Sequence, residues 1–254
     1  MKFNFENQVV LVTGGSRGIG QIICRMMADA GANVVVNYRS NKAAADETLA
    51  SLAGEGHMIM QADMGNSADL EAMVNTIIEK YGRIDVLVNN AGIFVDHPAL
   101  ETEYADWQAA WQDILAVNLM GPANLIYLCG KHMAKQGGGR VVNVSSRGAF
   151  RGEPESPAYG ASKAGMNAMG QSLAKKMAPQ NIFIHTVAPG FVETDMAKEV
   201  LAGERGDDLR SQSPLNRVAK PEEVALTVMF LAAGGTEFLT GCIVDVNGAS
   251  YLRT

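Results

Sequence analysis

Tyr159 and Lys163 stand four residues apart, just behind Ser156 and Pro157. On a helix that spacing puts both side chains on one face. A lysine ammonium about 4 Å from a phenol, at an effective dielectric of about 20, favours the phenolate by ~4 kcal/mol, or ~3 pKa units from a free value of about 10. Such a shift moves a tyrosine toward acid and base work at neutral pH. A bare Tyr-x-x-x-Lys also arises by chance on solvated helices, so its surroundings decide its meaning. Ser146 lies thirteen residues upstream, just past the apolar run Arg140 to Val144. A serine at the carboxyl edge of an open parallel sheet can donate to a carbonyl oxygen.

A second constellation comes at the start. Thr13-Gly14-Gly15-Ser16-Arg17-Gly18-Ile19-Gly20 follows a strand and opens a helix. Glycines there let backbone approach a pyrophosphate, and the helix N-terminus supplies oriented N–H groups. An acidic residue about twenty positions on normally takes the ribose hydroxyls of NAD and repels a 2′-phosphate. Here that position holds the neutral Asn37, bracketed by Arg17 and Arg39. Guanidinium groups match a phosphate in charge and fork geometry, so NADP(H) is preferred, although Asn37 could also bond a plain ribose and NAD(H) stays possible. Asp63 is placed to accept from an adenine amine, or to cap the turn that follows it.

These residues need a scaffold that gathers them. Short β-branched runs alternate with helical patterns, which is the signature of a parallel sheet covered by helices on both faces. Strands are expected at Val9–Val12, Asn33–Asn37, His57–Gln61, Ile84–Val88, Arg140–Val144, Ile182–Val187 and Cys242–Val246. Helices are expected after the glycine turn as far as Gly31, and over Lys42–Ala53, Ser67–Tyr81, Tyr104–Lys135, Pro157–Ala178 and Pro221–Ala232. The fold class is α/β: a three-layer, doubly wound Rossmann fold with seven parallel strands, one domain over residues 1–254. Gly137-Gly138-Gly139 fits a tight helix-to-strand turn rather than a hinge between domains. Segment 193–214 is charged, weakly periodic and long for a connection, which suits a substrate lid.

With Asn89-Asn90-Ala91-Gly92 closing the fourth strand and Asn118 in the long helix, the chain resembles the short-chain dehydrogenase/reductase family from end to end, most closely its 3-oxoacyl-carrier-protein reductase branch. The resemblance implies that Tyr159 protonates the substrate oxygen, that Ser146 polarises it, and that Lys163 binds the nicotinamide ribose while lowering the tyrosine pKa. It implies that Asn118 holds a water feeding protons to Lys163. Gly14, Ser16, Arg17, Gly18 and Ile19 match the family's cofactor turn. Asp63 with Met64 matches its adenine contact, and Asn90, Ala91 and Gly92 match its adenosine ribose wall. In Pro189-Gly190-Phe191-Val192-Glu193-Thr194 the backbone of Val192 and the hydroxyl of Thr194 would hold the carboxamide. A sheet order of 3-2-1-4-5-6-7 and a homotetramer are also implied.

The substrate stays open at this level. An acyl-carrier-protein thioester is acidic and needs a basic patch, for which Arg147, Arg151, Lys131 and Lys135 are candidates. Phe94, Phe150 and Phe191 could instead line a pocket for a hydroxysteroid, a sugar or a small secondary alcohol. The stretch Glu101 to Gln112 is longer and more aromatic than the family pattern, and Gly248-Ala249-Ser250 replaces a more glycine-rich ending. Trp107 and Trp111, four apart, fit either a substrate wall or a packing face.

Composition narrows the remaining classes. Hydrophobic residues make up 47% and charged residues 19% of the 254, enough to build a core. Twenty-one basic against 27 acidic side chains give −6, with no basic block, so neither nucleic acid nor a membrane surface is expected as a partner. No stretch reads as a bilayer span or signal peptide, and a cytoplasmic location is expected. Cys24, Cys129 and Cys242 read as reduced thiols. His57, His97, His132 and His185 form no metal-ligating cluster and read as ordinary core or surface histidines, so no metal is expected. A dinucleotide-binding sensor or scaffold is the non-enzymatic alternative, and the presence of Ser146, Tyr159 and Lys163 together argues against it.

Overall fold

The computed structural model describes residues 3–194, 201–203 and 206–253. Seven strands form one sheet in the order β3-β2-β1-β4-β5-β6-β7, every neighbouring pair parallel. They are β1 Val9–Val12, β2 Asn33–Tyr38, β3 Met58–Gln61, β4 Val86–Asn89, β5 Gly139–Val144, β6 Ile182–Pro189 and β7 Ile243–Val246. The expected order is therefore the observed one.

Side-chain alternation divides the core into two layers. Val10, Val12, Val34, Val36, Val86, Val88, Val142 and Val144 face one way, under α1 (Gly18–Asp29) and a late helix spanning Pro221–Ala232. Val9, Leu11, Val35, Leu87 and Val141 face the other way, under α3 (Ser67–Tyr81), α5 (Gly121–Gln136) and α7 (Pro157–Met177). Strands covered on both faces need apolar residues at every position, which is why they read as continuous Val/Ile/Leu runs. The remaining described helices are α2 (Lys42–Ala50), α4 (Tyr104–Leu115), α6 (Gly148–Arg151) and α8 (Gly206–Ser211); the Pro221–Ala232 helix is α9.

Several boundaries differ from expectation for local reasons. The expected single helix Tyr104–Lys135 is interrupted by a π-helical turn at Ala116–Met120, the kind of insertion often found at functional sites. The whole run Tyr104–Gln136 is long and apolar enough by length and composition to cross a membrane, contrary to the sequence expectation. Here Leu125, Ile126, Cys129 and Met133 are buried against the sheet layer instead. At its end Gly138 has φ 141°, and a Cβ there would lie 2.6 Å from the Asn181 carbonyl oxygen, so the glycine run is the tight turn anticipated. Of the lid segment, residues 195–200 and 204–205 lie outside the described residues; Leu201 and Leu209 pack together with Phe191 and Val218.

Candidate active site

The glycine turn is held by side chains from three strand ends. Gly14 and Gly18 adopt φ 62° and 55°, the left-handed region that only glycine enters freely. A Cβ on Gly14 would lie 3.0 Å from Ala91 Cα, so turn and fourth-strand end are in direct contact. Thr13 Oγ1 accepts from Asn90 N at 2.9 Å and Ala91 N at 3.0 Å, and Asn90 Nδ2 donates to Thr13 O at 2.9 Å and Gly14 O at 3.2 Å. Asn90 thus braces the turn. Arg17, at the α1 N-cap, gives no side-chain cap, which leaves the N-terminal N–H groups free of a capping side chain. A bare helix N-terminus behind a glycine cradle fits a pyrophosphate.

Asn37 stands elsewhere than the sequence places it. Its side chain turns inward, 2% exposed, rather than out toward a ribose. Oδ1 accepts from Gly14 N at 3.1 Å, while Nδ2 donates to Met60 O at 3.3 Å and Ala62 O at 3.2 Å. The residue staples the glycine turn to β2 and β3. Arg17 and Arg39 are exposed and form no ion pair among the described residues. Asp63 Oδ1 accepts from Gly65 N at 2.8 Å, the turn-capping alternative, and Met64 is buried beside it.

Ser146, Tyr159, Lys163 and Asn118 come together from β5, α7 and the π-turn. Ser146 follows β5 and its Oγ accepts from Gly148 N at 3.0 Å. Tyr159 is half-buried on α7, and Lys163 Nζ sits 5.8 Å from its ring centre while donating to Val144 O at 2.8 Å. A Cβ on Gly92 would lie 3.3 Å from Asn118 Oδ1 and 3.4 Å from Lys163 Nζ, so glycine is what lets all three approach. Asn118 is fully buried; its Oδ1 accepts from Ile93 N and its Nδ2 donates to Ile93 O, both at 2.9 Å, with Ser162 Oγ at 3.2 Å. Its side chain pins the loop after β4.

The electrostatics differ from the simple pair. Burial pushes the Tyr159 phenol above its ordinary pKa; Ser146 beside it acts the other way, and the Glu153 carboxylate adds to the rise. Burial also pushes the Lys163 ammonium down to about 8. The influences on the Tyr159 phenol are burial, Ser146 and Glu153, and the lowering expected from Lys163, whose Nζ sits 5.8 Å from the ring centre, is not among them. The phenol therefore carries its proton at neutral pH, but burial makes it a weaker acid than a free tyrosine.

The segment after β6 crosses over the glycine turn. Arg147 N donates to Pro189 O at 2.8 Å, Gly190 N to Val246 O at 3.1 Å, and Thr194 N to Val192 O at 2.8 Å. A Cβ on Gly18 would lie 3.4 Å from Thr194 Cγ2, so Thr194 does reach the glycine turn from the far side of the sheet. The three phenylalanines separate. Phe94 meets the Tyr159 ring at 5.0 Å, while Phe150 lies under Arg253 at 4.4 Å. Phe191 lines a cavity of about 410 Å³ with Arg147, Leu209, Ser250 and Tyr251, a lining that contains none of Ser146, Tyr159 and Lys163.

Arg147 is also not where a docking patch needs it. It is 3% exposed, donating to Ser250 Oγ and Gln212 Oε1, both at 2.6 Å. Arg151 pairs with Glu153 at 3.3 Å; Lys131 and Lys135 remain exposed. Two residues that spacing does not reveal also support the site. Thr13 ties the turn to β4, and His97, expected to be an ordinary histidine, packs against Trp107 and bonds the start of α7. Trp107 and Trp111 form the packing face rather than a wall open to substrate, their rings 5.8 Å apart around His97.

The family model described as enoyl-(acyl carrier protein) reductase matches residues 14–249. The chain is 38% identical over 252 residues to a 3-oxoacyl-[acyl-carrier-protein] reductase of Synechocystis sp., covering 96% of this chain and 97% of the relative. It is 36% identical over 254 residues to 3-oxoacyl-[acyl-carrier-protein] reductase FabG of Aquifex aeolicus, covering 99% and 100%. A solved structure from Brucella melitensis, described as short-chain dehydrogenase/reductase SDR: glucose/ribitol dehydrogenase, matches with a TM-score of 0.90 at 33% identity over the whole of both chains. The chain belongs to the short-chain dehydrogenase/reductase family. It is an oxidoreductase acting on a CH–OH group, of a family that binds a nicotinamide dinucleotide.

Proposed function

We propose that this protein is an NADPH-dependent carbonyl reductase whose substrate is the ketone of a 3-oxoacyl thioester on acyl carrier protein. The observation that carries the reaction is the clustering of Ser146 beside Tyr159, with Lys163 Nζ 5.8 Å from the Tyr159 ring centre and against Gly92, in a fold whose glycine turn opens an uncapped helix N-terminus. The bound nicotinamide supplies the hydride. Gly14, Ser16, Gly18 and Ile19 hold its pyrophosphate side, Asp63 the adenine, and Val192 with Thr194 the carboxamide. Arg17 and Arg39, exposed near the turn and the end of β2, take the 2′-phosphate.

Ser146 donates to the substrate oxygen and Tyr159 gives it the phenolic proton as the carbonyl carbon accepts the hydride. Lys163, buried and easily deprotonated, returns a proton to Tyr159. The acyl-carrier substrate rests on the names of the relatives. Burial of Arg147 removes one cation from the docking face and favours a second reading, a free secondary alcohol or ketone, for which the name of the Brucella relative is a precedent. A homotetramer fits the exposed apolar side chains of α9 and the turn before β7: Leu226 and Phe230 on the helix, and Phe238, fully exposed, in the turn.

The test is NADPH oxidation with acetoacetyl-acyl carrier protein, acetoacetyl thioesters and sugar ketones in parallel. Ser146→Ala is expected to lower kcat by about a hundred- to a thousandfold, and Tyr159→Phe further, with NADPH binding nearly intact. Full turnover in either variant overturns the assignment of roles. Preference for a free ketone over the carrier-bound thioester overturns the substrate.

A further inference from the structure

The first turn of α7 carries Tyr159, and its backbone donors can be followed one at a time. Pro157 has none. Tyr159 N and Gly160 N both donate to Ser156 O, at 3.0 and 3.3 Å. The donor left is Ala158 N, which a serine at the position of Ser156 would ordinarily satisfy through its hydroxyl. Ser156 makes no such cap, and its Oγ is buried without a partner among the described residues. The acceptor is instead Nε2 of His97, 3.2 Å away and 61 residues earlier in the chain.

Because Nε2 accepts, the ring proton belongs on Nδ1, which faces Val95 O at 2.7 Å. The imidazole is 1% exposed, edge-on to Trp107 at 5.4 Å and to Trp111 at 6.5 Å, so its orientation is fixed by packing. His97 N donates to Glu155 O at 2.7 Å, a second tie between the loop and the residues leading into α7. The same loop carries Phe94, whose ring meets Tyr159. Asn118 pins the loop at Ile93, while the contacts of His97 and Phe94 converge on the turn that aims the phenol.

We infer that His97 is a positioning residue: its neutral imidazole caps the helix of Tyr159 from a distant loop and holds Phe94 against the phenol. This rests on the role proposed above for Tyr159. The aromatic pair Trp107 and Trp111, which departs from the family pattern, serves as the seat of that cap.

Three substitutions separate capping from simple packing. His97→Phe keeps a ring on the tryptophans but has no acceptor. His97→Gln carries an amide oxygen to about the reach of Nε2, whereas His97→Asn ends near Nδ1 and leaves Ala158 N alone. With H97F and H97N, kcat is expected to fall roughly tenfold while the NADPH Kd, read by fluorescence, stays within about twofold; H97Q is expected within about threefold of wild type. If H97F does not fold, the H97Q and H97N pair decides alone. A kcat within about twofold of wild type in H97N, or equal losses in H97Q and H97N, overturns the inference. Tyr159→Phe is measured alongside. An active Y159F removes the role of Tyr159 itself, whereas an inactive Y159F beside a fully active H97N removes only that of His97.

Discussion

Replacing Asn37 by aspartate separates two roles for that residue by their physical consequences. At the end of β2 an aspartate facing the cofactor would favour a plain ribose and repel a 2′-phosphate. In the structure the side chain faces inward, so the new carboxyl would keep the Gly14 N contact and turn its other oxygen toward the Met60 and Ala62 carbonyls. Two hydrogen bonds of about 1 kcal/mol each are lost as donated. The carboxyl can recover one only by staying protonated, which at pH 7 against a free pKa of about 3.9 costs about 4 kcal/mol. A net destabilisation of about 3–5 kcal/mol follows, or roughly 6–20 °C in Tm for a chain of this size. The sign with pH is fixed: a folded-state pKa raised above the unfolded value makes the deficit shrink as pH falls toward 4. Thermal unfolding of wild type and Asn37→Asp across that range, with NADPH and NADH titrations, reads both effects. A variant with wild-type Tm and a cofactor preference moved toward NADH would refute the inward placement.

Two further outcomes follow from the site. Arg39→Ala should weaken NADPH more than NADH in parallel titrations, and an unchanged ratio of the two affinities removes the case for phosphate recognition at β2. Lys163, pushed down to about 8 by burial, must be charged below that pH at an energetic cost. Between about pH 8 and its unfolded value of 10.5 the unfolded chain binds more protons, so this residue makes stability rise with pH. Lys163→Met should remove that rise, seen as a wild-type minus variant difference in chemical denaturation at pH 7 and 9.5; a difference that does not change with pH would show the ammonium to be solvated.

Much of the scaffold was legible because a parallel sheet with helices on both faces demands uninterrupted apolar strands. The runs at Val9–Val12 and Ile182–Val187 had that character, and the structure places strands on both. Boundaries moved where a local conformation intervened, as at the π-turn that bears Asn118 and at Pro179, which ends α7 in a short 3₁₀ turn because it lacks an N–H. The proposed reacting groups were legible too, since Tyr159 and Lys163 share a helix face by spacing alone. The directions of side chains at strand ends were not. Asn37 and Arg147 sit at positions where spacing suggests contact with ligand, yet both turn away, toward Gly14 and toward Ser250 with Gln212.

The order of residue types along this chain set the sheet, its glycine turn and the Tyr159–Lys163 pair, because periodicity and backbone freedom act over a few neighbouring residues. Three-dimensional packing decided the burial that raises the Tyr159 pKa and lowers that of Lys163, the inward turn of Asn37 and the partnership of His97 with Ala158. Those depend on desolvation and on donors and acceptors from segments far apart in the chain, and no short-range pattern encodes which carbonyl or N–H will be left waiting for them.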